Sequence, residues 1–268
     1  MPNMPSEYQA LREAMRLCES KSDIICTFYS DPRLVRLQKD GKTRFVFGYC
    51  FDSNREAAAE LANDKAAMFE ILEKAGIAAV PHYLLSNGLK PEVSLPELEE
   101  LFKKHGSLVI KPNGGNKGDL IAKFDQPEKA LQYIEANPRV SWSASPYVDI
   151  TREIRVVVLN GSVRLVCEKV KPKVINGLKM YNLTLGATAQ SLKLTDIASS
   201  VLDLAVQSVK AIALDMGAVD IVFDHNGNPY VLEINDGFSL ERFAASSSEA
   251  YSEVVNFYQH AITELFKD

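Results

Sequence analysis

An α+β fold made of several small lobes is what this 268-residue sequence predicts, and three observations predict it. Hairpins and single helices follow one another without the regular strand–helix alternation that builds a doubly wound sheet. The chain is long for one compact domain and comfortable for two or three lobes. Apolar residues make up 46% of it, enough for substantial cores.

The elements follow in order. SEYQALREAMRLCE (6–19) spaces its apolar residues as a helix behind a Ser6 cap, and DIICTFY (23–29) reads as a short buried strand. RLVRLQKDGKTRFVFGYCF (33–51) is a hairpin turning at Asp40-Gly41. NDKAAMFEILEKAG (63–76) is a helix with Asn63 as N-cap, Met68, Leu72 and Ala75 on one face, and Gly76 as its stop. IAAVPHYLL (77–85) starts a strand that Pro81 interrupts, and SLPELEELFKKHG (94–106) is a capped helix ending in basic residues and Gly106. SLVIKPNGGNKGDLIAKF (107–124) gives strand, glycine-rich turn and strand; QPEKALQYIEAN (126–137) gives a helix. SPYVDI (145–150) is an extended link, and REIRVVVLNGSVRLVCEKVKP (152–172) a hairpin turning at Asn160-Gly161. KVINGLKMYNLTLGA (173–187) is polar and glycine-bearing, a loop laid over something. LTDIASSVLDLAVQSVKAIAL (194–214) carries the longest helical pattern; the hairpin AVDIVFDHNGNPYVLEIND (218–236) and an amphipathic helix (246–266) close the chain.

A net charge of −5 supplies no overall attraction to nucleic acid or to an anionic membrane. The N-terminal residues have neither a basic nor an apolar signal region, and no apolar run approaches the roughly 18 residues of a membrane span. Cys18, Cys26, Cys50 and Cys167 form no CxxC pair, so reduced thiols in a cytoplasmic protein are expected. His82, His105, His225 and His260 are too scattered for a zinc cluster.

Three constellations carry chemistry. In VIKPNGGNKGD, adjacent Gly114 and Gly115 between two strands let backbone N–H groups turn toward one point, a nest for phosphate oxygens. Lys111 and Lys117 bring two cations to the same anion, although an ordinary hairpin with solvated lysines has the same composition. In the late hairpin, Glu233 and Asn235 stand two apart and share a strand face, and Asp220 comes opposite them after a turn near Asn226-Gly227. Two carboxylates and an amide oxygen make a hard, all-oxygen site suited to Mg²⁺ carrying nucleotide phosphates. The competing readings are an exposed acidic strand face and a calcium loop in DHNGN; the latter lacks a correctly placed glycine and a closing Glu, so a plain turn is expected there. Third, the Pro146-Tyr147-Val148 link offers backbone groups to an adenine edge. Glu153 follows as an acceptor for ribose hydroxyls, and Arg155 and Lys169 supply cations.

In this order, NDKAAMFEILEKAGIAAVP, LVIKPNGGNKGD, REIRVVV and GAVDIVFDHNGNPYVLEIN resemble the ATP-grasp superfamily over roughly residues 60–240, in particular its carboxylate–amine ligase branch. The resemblance implies two α+β lobes gripping nucleotide: a short N-terminal α/β portion over 1–62, a small lobe with the glycine-rich loop over 63–147, and a large lobe with the metal site over 148–268. It implies nucleotide contacts at Lys65, Lys111, Gly114, Gly115, Lys117, Gly118, Pro146, Tyr147, Val148 and Glu153. Asp220, Glu233 and Asn235 match magnesium ligands, with Mn²⁺ as an alternative metal, and Arg155, Lys169 and Asn182 fall at catalytic positions. The implied reaction is ATP-driven amide formation through an acyl-phosphate, with small-molecule carboxylate and amine substrates and homodimers frequent among the relatives. An ATP-grasp kinase and a non-catalytic ATP-binding module are the alternatives.

The chain departs from the family pattern in four places. Its first portion is short; Ser145-Pro146 stands for the usual Gln-Glu pair at the hinge; Met180 replaces a basic residue before Asn182, with Lys179 beside it; and DGFSLERF follows Asn235 in place of a small-Ser-Pro-Gly run, making Arg242 a candidate substrate contact.

Overall fold

The computed structural model describes residues 6–90, 92–115 and 120–267. Helix α1 (Gln9–Ser22) leads into an antiparallel meander of β1 (Ile25–Phe28), β2 (Leu34–Lys39), β3 (Lys42–Phe47) and β4 (Cys50–Phe51). Alternation in β2 sends Val35 and Leu37 into the core while Arg36 and Gln38 face outward. Asp40 and Gly41, both at positive φ, make the expected two-residue turn. The segment expected as a buried strand is instead an exposed edge: among the described strands β1 pairs only with β2, and Ile25 is 63% exposed. An apolar run shows that a strand forms, but its neighbours decide how much of it is covered.

Next come α2 (Glu56–Asn63) and α3 (Lys65–Lys74). The alanine-rich run before α3 is itself helical, so Asn63 ends α2, and Asp64 is the N-cap of α3 in place of the expected Asn63. Its Oδ1 accepts a hydrogen bond from the Ala67 N–H at 2.9 Å. Both Met68 and Leu72 pack under the large sheet, and residues 78–80 run beside its edge, with Val80 N–H bonded to Val231 O. Within the expected small lobe, 63–147, the stretch up to residue 80 thus shares the large lobe's core.

The small lobe's own core begins at β5 (Tyr83–Ser86). It continues through α4 (Leu95–His105), β6 (Leu108–Pro112), β7 (Ala122–Phe124), α5 (Pro127–Glu135) and β8 (Trp142–Pro146). Its antiparallel sheet has the order β5-β8-β6-β7, and Leu98, Phe102, Ala130 and Ile134 of the helices cover Leu108, Ile110 and Trp142 on one face. Ser94 caps α4, accepting from Glu97 N–H.

Strands β9 (Arg152–Leu159) and β10 (Ser162–Val170) turn at Asn160-Gly161 as expected. The segment read as a loop, 173–187, contains a small hairpin of β11 (Lys173–Ile175) and β12 (Leu178–Met180); just beyond it β13 (Thr188–Leu192) is an unexpected edge strand on β10. Helix α6 (Ser199–Ala211) is shorter than its 194–214 pattern, because Leu194–Asp196 form a separate 3₁₀ turn. Strands β14 (Met216–Phe223) and β15 (Pro229–Asn235) follow, then α7 (Glu241–Ala244) and α8 (Ser248–Glu264), the longest described helix at 17 residues.

The five-stranded sheet, order β13-β10-β9-β14-β15, is covered on both faces. Ile154, Val156, Val158, Val219 and Ile221 meet α3 and α6 on one side; Val157, Leu159, Met216 and Ala218 meet α1 and α8 on the other. Double coverage is why REIRVVV and VDIVF read as continuous apolar runs. The N-terminal meander shares this second core with the C-terminal helices.

Candidate active site

A cleft of about 770 Å³ opens between the lobes, walled by β6, the glycine-rich turn and the Pro146–Val148 link on one side and by β9, β10 and β15 on the other. Strand pairing dictates which side chains face it. Glu153 and Arg155 on β9 lie opposite Lys169 and Cys167 on β10; Arg155 also lies opposite Asp220 on β14, which lies opposite Glu233 on β15. Directly opposed residues project from the same face of a sheet. Four adjacent strands thus put an alternating set of charged groups on one surface, with Asn235 two residues beyond Glu233.

On the small-lobe side, Lys111 is 7% exposed, and its ammonium makes no hydrogen bond or ion pair with a described residue. Burial pushes its pKa down to about 7, the charge of Lys65 adds to the fall, and Glu233 opposes it. Lys65, at the start of α3, donates from Nζ to Gly115 O at 2.6 Å; burial lowers its pKa, opposed by Glu233 and Asp64. Asn113 pins the start of the turn to the same helix end: its O accepts from Lys65 N–H and its Oδ1 from Ala66 N–H. Gly114 and Gly115 line the cleft, Gly115 at φ 91°, while Lys117 and Gly118 lie outside the described residues.

Pro146, Tyr147 and Val148 line the cleft as expected of the link. Proline has no N–H, and that of Tyr147 is already bonded to Ser107 O at 3.0 Å, so Val148 holds the link's free backbone donor among these three. The Lys123 ammonium lies 4.2 Å from the Tyr147 ring centroid.

Beneath the cleft runs a chain of buried charges. Arg155 donates through Nε and Nη2 to the two oxygens of Asp220, each at 2.8 Å; Lys169 Nζ lies 2.8 Å from Asp220 Oδ2 and 2.5 Å from Glu153 Oε1. Burial works against the Arg155 and Lys169 cations, and the surrounding carboxylates, Asp220 first and for Lys169 also Glu153, together outweigh it, so both pKa values rise. For Asp220, burial is outweighed in turn by Arg155 and Lys169, and its pKa falls. Burial pushes the Glu153 carboxyl up, against the pull of Lys169.

Asp220, expected beside Glu233 and Asn235 as a metal ligand, does not itself line the cleft. Asp220 is fully buried; its Oδ1 accepts from Arg155 and its Oδ2 from Arg155 and Lys169. Glu233 and Asn235 do line the cleft, with Asn235 Nδ2 donating to Glu233 Oε1 at 3.3 Å. A carboxylate and an amide oxygen facing Lys111 and Lys65 fit a hard divalent cation bound to phosphate. The DHNGN segment is a plain turn, in which Asp224 Oδ1 accepts from the backbone of Asn226 and Asn228.

At the far end of the cleft, Asn182 caps a 3₁₀ turn by accepting from Thr184 N–H. Lys179 is tied to Asp149 and to Ile150 O, and Arg242 donates to Leu183 O at 3.4 Å. Tyr49, Tyr181 and Phe238 also line this end. Tyr49 comes from the β3–β4 turn nearly 190 residues before Phe238; only tertiary packing brings it here, and no sequence pattern marked it.

Two α+β lobes closing on a cleft with paired lysines opposite an acid–amide strand define an ATP-grasp protein. A solved structure of this fold, D-alanine–D-alanine ligase from Bacillus anthracis complexed with ATP, superposes with a TM-score of 0.58 at 17% identity, over 80% of this chain and 71% of that one. The ATP-grasp ligase PsnB complexed with minimal precursor, Mg and ADP superposes equally well, at 0.58 and 17% identity, over 79% of this chain but only 62% of the PsnB chain, less than two thirds of its length. In sequence, a probable alpha-L-glutamate ligase of Haemophilus influenzae is 25% identical over 217 residues, covering 79% of this chain and 67% of that protein. The profile of the RimK-like ATP-grasp domain matches residues 62–256, and the chain belongs to that family. No described helix is long and apolar enough to cross a membrane.

Proposed function

We propose that this protein is an ATP-dependent carboxylate–amine ligase. A substrate carboxylate oxygen attacks the γ-phosphorus of ATP and ADP leaves; the amine nitrogen then attacks the acyl carbon of the resulting acyl-phosphate and phosphate leaves, giving an amide. The observation that carries the reading is Lys111, a buried ammonium without a partner among the described residues, in a cleft shared with Glu233 and Asn235. A buried, unpaired cation is costly unless an anion meets it.

Each residue then has a task. Val148 N–H reads the base and Glu153 accepts from the ribose. Lys65 and Lys111, with the Gly114-Gly115 turn, hold phosphate oxygens. Glu233 and Asn235 would hold Mg²⁺, or Mn²⁺, which when bound offsets charge on the transferring phosphoryl group. Arg155 and Lys169, held charged by Asp220, stabilise negative charge on the transferring group from the opposite wall. Asn182 and Arg242 face the acceptor end. Arg242 is the charged group there suited to a substrate carboxylate, while Tyr49, Tyr181 and Phe238 favour an apolar neighbour to it. The substrates on this reading are small: an amino acid, a short peptide or a related acid. Four unpaired thiols fit a cytoplasmic setting.

Phosphate release from ATP and Mg²⁺, screened over pairs of carboxylates and amines with mass detection of the product, tests the proposal. Release that needs both partners and yields an amide supports it. Release with an alcohol and a stable phosphoester, or nucleotide binding without turnover across the panel, overturns it.

A further inference from the structure

The main chain crosses between the lobes twice. It leaves the large lobe's edge after Val80, whose N–H bonds Val231 O, and enters β5 at Tyr83; it returns from β8 through Pro146–Val148 to β9. His82 sits in the first crossing, 1% exposed, and touches both β8, just before the second crossing, and the large lobe. Its Nε2 lies 3.1 Å from Leu232 O, one residue before Glu233, and its Nδ1 lies 2.9 Å from Ser145 Oγ, one residue before Pro146. A carbonyl only accepts, so Nε2 carries the proton; Nδ1 of the neutral ring then accepts from the Ser145 hydroxyl. Burial, reinforced by the charge of Lys111, keeps the ring neutral by driving its pKa well down. Ser145 is itself 2% exposed, and its hydroxyl proton is spent on this bond.

We propose that His82 is a positioning residue: it ties the first crossing and β8, the strand that leads into the second, to β15, and so sets how far Lys111 stands from Glu233 and Asn235. The inference rests on the ligase reading only in taking those three residues to share one nucleotide. The physical reason is leverage. Both covalent connections between the lobes run through a few residues outside the strands and helices, 81–82 and 147–150, and a few such residues suffice to absorb the backbone change of a hinge. A planar ring with one hydrogen bond to each side removes that freedom before any ligand arrives, as preorganisation requires.

The test uses the full chain with a donor–acceptor dye pair on exposed Glu100 of α4 and exposed Lys210 of α6, both replaced by a clickable residue, and a fluorescent ADP with Mg²⁺. His82→Phe keeps the bulk and loses both bonds; Ser145→Ala loses one; Ser145→Thr keeps the hydroxyl. Expected are a broader spread of lobe separations and about tenfold weaker nucleotide binding in His82→Phe, a smaller change of the same sign in Ser145→Ala, and recovery in Ser145→Thr. A wild-type spread of separations in both His82→Phe and Ser145→Ala, with only the melting temperature lowered, overturns the proposal. If His82→Phe does not fold, the Ser145 pair decides by the same readout. If the wild-type protein binds no nucleotide, the ligase reading fails while the dye measurement still decides the role of His82.

Discussion

Arg155 and Asp220 face each other across β9 and β14 and share two hydrogen bonds of 2.8 Å, with the carboxylate fully buried and the guanidinium largely so. A forked guanidinium on a carboxylate is the geometry in which charge-assisted bonds are strongest. Lys169 completes the arrangement, so a single Asp220 carboxylate holds two cations at the floor of the cleft. Losing one partner of such a set is costly because the others stay buried without compensation.

Asp220→Asn therefore lowers unfolding free energy by roughly 3–5 kcal/mol. Urea denaturation at pH 7 measures it. A loss below 1 kcal/mol would show that the buried cations find other partners and that Asp220 is not their anchor.

Glu233→Gln behaves oppositely. The side chain is half-buried and its hydrogen bond to Asn235 is long, so the fold stays within about 1 kcal/mol of wild type. Mg²⁺-dependent phosphate release should fall by about 10²–10³, the scale of losing one preorganised electrostatic group. Unchanged turnover would remove Glu233 from the metal site.

Lys111 makes stability and binding depend on pH in a stated direction. Its pKa is about 7 in the folded chain against an ordinary value of 10.5. Between those values the unfolded chain holds one more proton, so stability rises with pH across this window. The cost of burying the charge is full below pH 7 and is relieved as pH climbs toward 10.5. Lys111→Met should be the more stable protein at pH 6.5, with the difference shrinking by pH 10 on circular-dichroism melts. Binding a phosphate favours the charged lysine, so Mg–ADP affinity of the wild type should weaken from pH 7 to 9. Calorimetry in buffers of different ionisation heat should show proton uptake that Lys111→Met lacks.

The loop after Asn235 is packed against the N-terminal meander. A Cβ on Gly237 would come within 2.4 Å of Cys50 Sγ. Gly237→Ala should cost about 1–3 kcal/mol as an overpacked contact and raise the KM of the acceptor substrate, because Tyr49 shares this wall. Adding Cys50→Ala should restore most of the stability. A Gly237→Ala protein that melts and turns over like wild type would show that the meander does not brace the loop.

How much was legible beforehand follows from the range of each interaction. Two-residue periodicity in REIR and LEIN determined that Glu153 shares a face with Arg155, and Glu233 with Asn235, since side-chain direction alternates along a strand whatever surrounds it. The turns at Asp40-Gly41 and Asn160-Gly161, the cap at Ser94 and the glycine turn after Lys111 were equally local. Tertiary structure alone decided that Asp220 spends its charge on Arg155 and Lys169, that His82 meets Ser145, 63 positions away in the chain, and that Tyr49 lines the cleft while Cys50 packs against Gly237. Those facts depend on which strands become neighbours and on which groups are shut away from water together, and chain order carries neither.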